Sequence, residues 1–337
     1  MRLHTLACVL FIPLLVLGQG PSKMERKVRA QLDRNKPYPA IRNASAMLAK
    51  GGHPEFFALR ARGYNSIGEF AQAGADAHRA LEASPGSVEG LFQLAIAEQG
   101  LGRLDSAAIH LRQLLAGSPD VEVCYRLATV EQMRGHLGQA MAEVDQALLA
   151  QGPVQEGAAR LHRLKGEIAA MAGDTAMART ELDRAVALAP KDPVNYNSRG
   201  FYGHAWRGDH QAAIADYDRA IKLNPNYSYA FNNRGWSLYR LGQTEKGLKD
   251  IGKARRKKAH NPYVYRNLGV IALEAGDTAK ACVLFRQALD EGFTALYGNE
   301  VEGRVAASCG RVPTQAPASN MPDRPAEKAA PRTNAPE

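Results

Sequence analysis

A glycine that returns at close to thirty-four residues constrains this chain more than any other feature. Gly68, Gly102, Gly135, Gly173, Gly208, Gly242 and Gly276 keep that period, with one wider step between Gly135 and Gly173. Five residues after each stands a small residue, in order Ala73, Ala107, Ala140, Ala178, Ala213, Gly247 and Ala281. Seven further on comes another apolar one: Ala80, Leu114, Ala147, Ala185, Ala220, Ala254 and Ala288. Pro85, Pro119, Pro190 and Pro225 close four of the units and Gly152 a fifth. A unit this short cannot bury its apolar face alone, so neighbouring copies must stack into one elongated array. The 337 residues therefore do not divide into the two globular domains that length by itself suggests.

Within a unit the spacing predicts two antiparallel helices. Apolar residues recur at helical intervals on each, as Leu91, Leu94 and Ala95 followed by Ala107, Leu111 and Leu114 illustrate. The glycine sits at the turn, where positive φ is wanted, and the proline stops the second helix. Seven residues before the glycine lies a further close-packing site, held by Ala61, Ala95, Ala128, Gly166, Gly235 and Gly269. The fifth unit departs from this: Gly200 precedes Gly208 by eight residues, which implies one inserted residue in or after its first helix. The wider step falls at Gly152-Pro153-Val154-Gln155-Glu156-Gly157, read as a longer turn, with a hinge between two sub-arrays as the alternative.

These offsets, repeated seven times, make the chain resemble the tetratricopeptide-repeat (TPR) family. Asn233-Arg234-Gly235, with Ala213, Tyr217, Ala220 and Asn224-Pro225 before it, is an especially close match to bacterial members. The resemblance implies an all-α fold, a right-handed superhelix of antiparallel helix pairs. Seven repeats are expected over residues 54–293, after a degenerate repeat over 19–53 in which Asn35 takes the place of the turn glycine. A capping helix is expected over 294–310, because the open face of a solenoid's last repeat needs a polar cover.

The two ends read differently. Arg2 and His4, the apolar run Leu6 to Leu17, and Val16-Leu17-Gly18 predict a signal peptide over residues 1–18, cleaved before Gln19. The run is too short to span a bilayer and is broken by Pro13, so no transmembrane segment is expected after cleavage, and the mature chain is placed in the periplasm or outside the cell. Residues 311–337, rich in Pro and Ala, carry too little apolar bulk to offset ordering entropy and are expected to be a disordered tail.

The formal charge of +9 is modest for the length, and its one dense run, Arg255-Arg256-Lys257-Lys258, falls at a predicted helix end, where cations complement the helix dipole. No aromatics are interleaved with it, so no nucleic-acid partner is expected. Nothing predicts an enzyme. The nine histidines are scattered without metal-ligand spacing, no phosphate loop or dinucleotide motif is present, and no cofactor is expected. Of the three cysteines beyond the signal, Cys282 and Cys309 fall on elements expected to be neighbours and are candidates for a disulfide. Cys124 lies on an inward stripe as a small core residue.

What remains is binding. Asn197, Asn232, Asn233, Arg234, Arg266 and Asn267 lie on predicted first helices with Tyr196, Tyr229, Phe231 and Tyr265 nearby. In the resembled family first helices line the concave groove. An Asn amide there can pair with both donor and acceptor of an extended peptide backbone, or it can serve only contacts between repeats. Of the family's carboxylate-clamp set only Asn233 is recognisable. The expected partner is a protein or peptide. The expected role is an adaptor in a cell-envelope assembly, with a peptide-binding chaperone or a non-catalytic subunit of an enzyme complex as alternatives.

Overall fold

The computed structural model of the chain describes residues 21–116, 120–151, 155–257, 261–294 and 298–310. The signal segment, residues 152–154 of the insertion expected at 152–157, and the Pro/Ala-rich tail lie outside the described residues. Among those described there are seventeen α-helices and no strand. In chain order they are α1 (Lys23–Asp33), α2 (Pro37–Leu48), α3 (Glu55–Ser66), α4 (Phe70–Ala83), α5 (Val88–Gly100), α6 (Leu104–Leu115), α7 (Val121–Met133), α8 (Leu137–Gln151) and α9 (Gln155–Met171). There follow α10 (Thr175–Leu188), α11 (Pro193–Ser198), α12 (His210–Leu223), α13 (Ser228–Arg240), α14 (Thr244–Arg256), α15 (Tyr263–Glu274), α16 (Thr278–Asp290) and α17 (Glu300–Ser308).

The turn inside three of the repeats is built by two adjacent residues. Gly173, Gly208 and Gly276 take positive φ (+85°, +84° and +81°). The next residue, Asp174, Asp209 or Asp277, accepts a backbone N–H three residues ahead at 2.9–3.0 Å, capping the second helix. A left-handed residue thus ends one helix and a carboxylate starts the other, which leaves no room for a longer loop. Asn35, at the same place in the first repeat, has φ +53°, the single positive value of a non-glycine residue among those described. Asn35→Val is expected to lower stability by about 1–2 kcal/mol, because a β-branched residue resists this conformation, while Asn35→Gly stays within a few tenths. Urea midpoints of the two variants check this; equal midpoints would mean the turn tolerates other geometry.

Each first helix packs on its own second helix, and most also touch the first helix of the next repeat. Among the described residues the odd-numbered helices contact one another in sequence (α1–α3, α3–α5, α7–α9, α11–α13, α13–α15), with no comparable contact between even-numbered ones. A stack held closer along one layer curves toward it, so the odd helices line the inner surface. Small residues let the layers approach: an added Cβ at Gly235 would meet the Gly247 carbonyl oxygen at 2.7 Å, so α13 and α14 cross backbone to backbone. The core is accordingly a chain of small clusters. One gathers Cys124, Ala128, Ala140, Val144 and Leu161 between α7, α8 and α9, and another gathers Val270, Leu284, Phe285, Phe293 and Val301 at the C-terminal end.

The fifth repeat accommodates its extra residue in one place. After Ser198 the first helix continues as a π-helical turn, Arg199–His204, and a 3₁₀ turn, Ala205–Arg207, before Gly208. A π turn holds one more residue than the α turn it replaces. At the far end α17 packs on α16, and Cys282 is joined to Cys309, Cα to Cα 5.6 Å. Cys124 is a buried free thiol that burial pushes above its usual pKa, as for an inert core residue. Among the described residues no helix is long and apolar enough to cross a membrane.

Candidate functional site

The polar residues singled out from the sequence separate into two sets. One ties helices together inside and between repeats. Arg60, Arg199 and Arg234, each just before the close-packing site, reach a carboxylate on the second helix of the same repeat: Asp76 at 2.6 Å, Asp216 at 2.6 Å and Asp250 at 2.6 Å. The extra residue shows in the spacing, sixteen residues for Arg60–Asp76 and Arg234–Asp250 but seventeen for Arg199–Asp216. Arg234 also donates to Asp218 on α12 at 2.5 Å. Arg234 therefore belongs to this clamp and not to the groove wall, a correction to the reading from sequence. One step along a helix turns a side chain by about 100°, enough to carry it from the inner surface to the joint.

The asparagines form a ladder across three repeats. Asn267 donates to Asn232 Oδ1 (3.2 Å), Asn232 to Asn233 Oδ1 (3.2 Å), and Asn233 to Asn197 Oδ1 (3.1 Å). Arg266 caps the ladder by donating to Asn267 Oδ1 at 3.0 Å. Asn232 and Asn267 are buried, at 0% and 4% exposure, so their amides are committed to the α13–α15 contact. Asn197, Asn233 and Arg266 are half-buried on the inner surface. Arg266 lies 5.2 Å over the Trp236 ring and pairs with Glu300 of α17 at 2.5 Å.

The inner surface of these repeats is hollow. A cavity of 410 Å³ lies among Phe201, Trp206, Asn233, Trp236, Tyr263 and Arg266, and a smaller one of 220 Å³ shares Phe201, Asn233 and Tyr263 with it and reaches back to Glu167 of α9. The two form one groove across α11, α13 and α15. The π turn and the 3₁₀ turn after it supply three of its aromatic residues: Phe201 meets Tyr202 edge-on at 4.9 Å, and Tyr202 stacks on Trp206 at 5.7 Å. Burial pushes the Tyr263 hydroxyl up to about 12 and lowers His210, with Arg240 adding to the second effect, so both stay uncharged near neutrality. The surface is thus aromatic and hydrogen-bonding, able to hold an extended chain by its backbone and side chains. A further hollow of 580 Å³ lies on the inner surface of α3, α5 and α7.

Glu167, Phe201, Tyr202, Trp206, Trp236 and Tyr263 did not enter the groove reading made from the sequence. One signal did point to three of them: the inserted residue of the fifth repeat falls beside Phe201-Tyr202 and Trp206, three aromatics within six positions. Glu167 carried no such signal, being a full repeat away from its hydrogen-bond partner Ser198.

The repeat architecture is matched by family models. A tetratricopeptide repeat model matches residues 125–193 and 232–292, and a TPR repeat model matches 206–242. The residues these models match carry tetratricopeptide repeats. Among solved structures it is similar to a tetratricopeptide repeat protein from Parabacteroides merdae, 16% identical with a TM-score of 0.56 over 74% of this chain and 96% of that one. Yeast Tom70 is 16% identical with a TM-score of 0.58, over 89% of this chain and 67% of that one. A human IFIT1 dimer with m7Gppp-AAAA is 13% identical with a TM-score of 0.58, over 80% and 68%. A search of curated proteins by sequence finds no match. At these identities the likeness is one of fold, and a TPR fold is a scaffold for protein–protein interaction.

Proposed function

We propose that this TPR chain is exported and holds an extended segment of a partner protein in the groove across α11, α13 and α15, as an adaptor in a cell-envelope assembly. The observation that carries the reading is the groove itself: two adjoining hollows that share Phe201, Asn233 and Tyr263, the larger also walled by Trp236. Asn233 Nδ2 gives one of its two hydrogens to Asn197, and the other remains for a peptide carbonyl. The basic start and apolar run of residues 1–18 favour export, and so does a disulfide, which persists in oxidising compartments. No catalytic role is proposed.

The test is affinity capture from the native envelope fraction with three baits: the mature chain, an Asn233→Ala/Trp236→Ala variant and an Arg234→Ala variant. A discrete partner is expected with the first and third and absent with the second, because Arg234 serves the clamp and the other two face the groove. A partner retained by the Asn233→Ala/Trp236→Ala bait would overturn the groove reading. Many weakly held, unfolded clients in place of one partner would favour a chaperone.

A further inference from the structure

The smaller of the two hollows has a chemistry of its own. Its floor is the carboxylate of Glu167, 17% exposed, and its walls include Phe201, Tyr202, Tyr229 and Tyr263. At 220 Å³ it is below the range of about 300 Å³ and upward in which whole small molecules and cofactors bind, and suits a single side chain. We propose that this hollow is a cation subsite that receives the guanidinium of an arginine side chain, carried by the segment laid in the groove. The proposal rests on the groove reading for the origin of the arginine, but the recognition chemistry belongs to the hollow alone.

The charge balance around the hollow is incomplete. Glu167 Oε1 accepts from Ser198 Oγ at 2.6 Å. The cation beside it, Arg163, stands 3.6 Å from the same oxygen and 3.8 Å from Asp192, outside hydrogen-bond length to both. Arg163 is shared between those two carboxylates, which leaves one negative charge in excess, and it does not line the hollow. A carboxylate so placed has lost most of its water without gaining a full partner, and burial accordingly pushes its pKa up. Burial, with the same carboxylate adding to it, pushes the Tyr202 hydroxyl up as well, which keeps that wall uncharged.

A cation entering the hollow answers both features at once. It pairs with the desolvated carboxylate, and its flat face lies against aromatic rings with negative π surfaces. Guanidinium fits better than ammonium, because it is planar, weakly hydrated and stacks on aromatic faces while its N–H edge turns to a carboxylate. A hard metal ion fits poorly, since among the described residues Glu167 is the one carboxylate lining the hollow and such ions need six or more oxygen ligands. An anionic guest would meet Glu167 directly, and a neutral one would leave its charge unanswered.

The chain carries its own reporters. Its two tryptophans give two indole N–H signals, and Trp206 stacks on Tyr202, a wall of the hollow. The full mature chain is titrated by NMR with N-acetyl-L-argininamide and, separately, with its uncharged isostere N-acetyl-L-citrullinamide, the signals being assigned through Trp236→Phe. A saturable shift of the Trp206 signal is expected with the arginine compound, with affinity at least about tenfold weaker for citrulline and for Glu167→Gln. Tyr229→Leu, which leaves Glu167 with Ser198 and Arg163, is expected to weaken binding as well and serves if Glu167→Gln does not fold. Equal affinity for arginine and citrulline overturns the proposal, as does an arginine response unchanged in both variants, or none at millimolar concentration. Partner capture fails or succeeds independently of these titrations, so the groove reading and the subsite are judged apart.

Discussion

Reducing the Cys282–Cys309 bond, or replacing either cysteine by serine, is expected to cost the C-terminal end of the array about 3.5 kcal/mol, the chain-entropy value for a loop of this length. The bond spans 27 residues and ties α17 to α16. Helix α17 has nine residues, too short to hold a helix in water by itself, and its one buried residue is Val301. Without the bond, packing of Val301 and the partly buried Val305, with the ion pair from Glu300 to Arg266, would have to hold it. In a solenoid each repeat is supported by its neighbours, so the loss is felt as local opening at the end rather than as uniform weakening. Glu300 leaves with the helix, and Arg266 above Trp236 then loses its carboxylate at the rim of the groove. Hydrogen exchange of the α16 and α17 amides, oxidised and reduced, measures the effect. Equal protection in the two states would show that packing alone holds the cap.

A second large effect is expected from Phe285→Ala, about 3–5 kcal/mol, the usual range for emptying a buried aromatic site. Phe285 is fully buried among Val270, Ala281, Leu284 and Val301, and its ring lies on the bare backbone of Gly269, where an added Cβ would come within 2.6 Å of it. Glycine is required there because α15 and α16 approach across that ring. Gly269→Ala alone must therefore push the ring aside, at about 1–3 kcal/mol. Combined with Phe285→Leu, which vacates the same space, Gly269→Ala should cost less than the two single changes added together. A double-mutant cycle on urea midpoints reads the coupling. Strict additivity would mean that the ring and the glycine do not share the contact.

Much of the fold follows from local rules that the chain states plainly. A glycine at each turn, small residues where helices cross, and the Gly-Asp pair at Gly173, Gly208 and Gly276 together dictate paired helices, and the turn glycines have the positive φ that their spacing calls for. Asn35 obeys the same rule, and the eight-residue interval from Gly200 to Gly208 announces an inserted residue, found as the π turn of Arg199–His204. These features are legible because each is settled within one repeat, by sterics and hydrophobic period.

The groove was legible only in outline. Asn232 and Asn233 are adjacent and chemically identical, yet Asn232 is sealed in the α13–α15 joint and Asn233 faces the hollow. Arg234, one step further, turns to Asp250 and Asp218. Glu167 and Ser198 meet across 31 residues, and Phe201 and Tyr202 line the hollow on the π turn. Period and composition determine that each helix has an inner face. Which polar residues of successive repeats share that face depends on the rotation and rise from one repeat to the next, and on where a π turn shifts the helical phase. Those are properties of the stacked helices together, set by packing between residues far apart in the chain, and only the tertiary structure holds them.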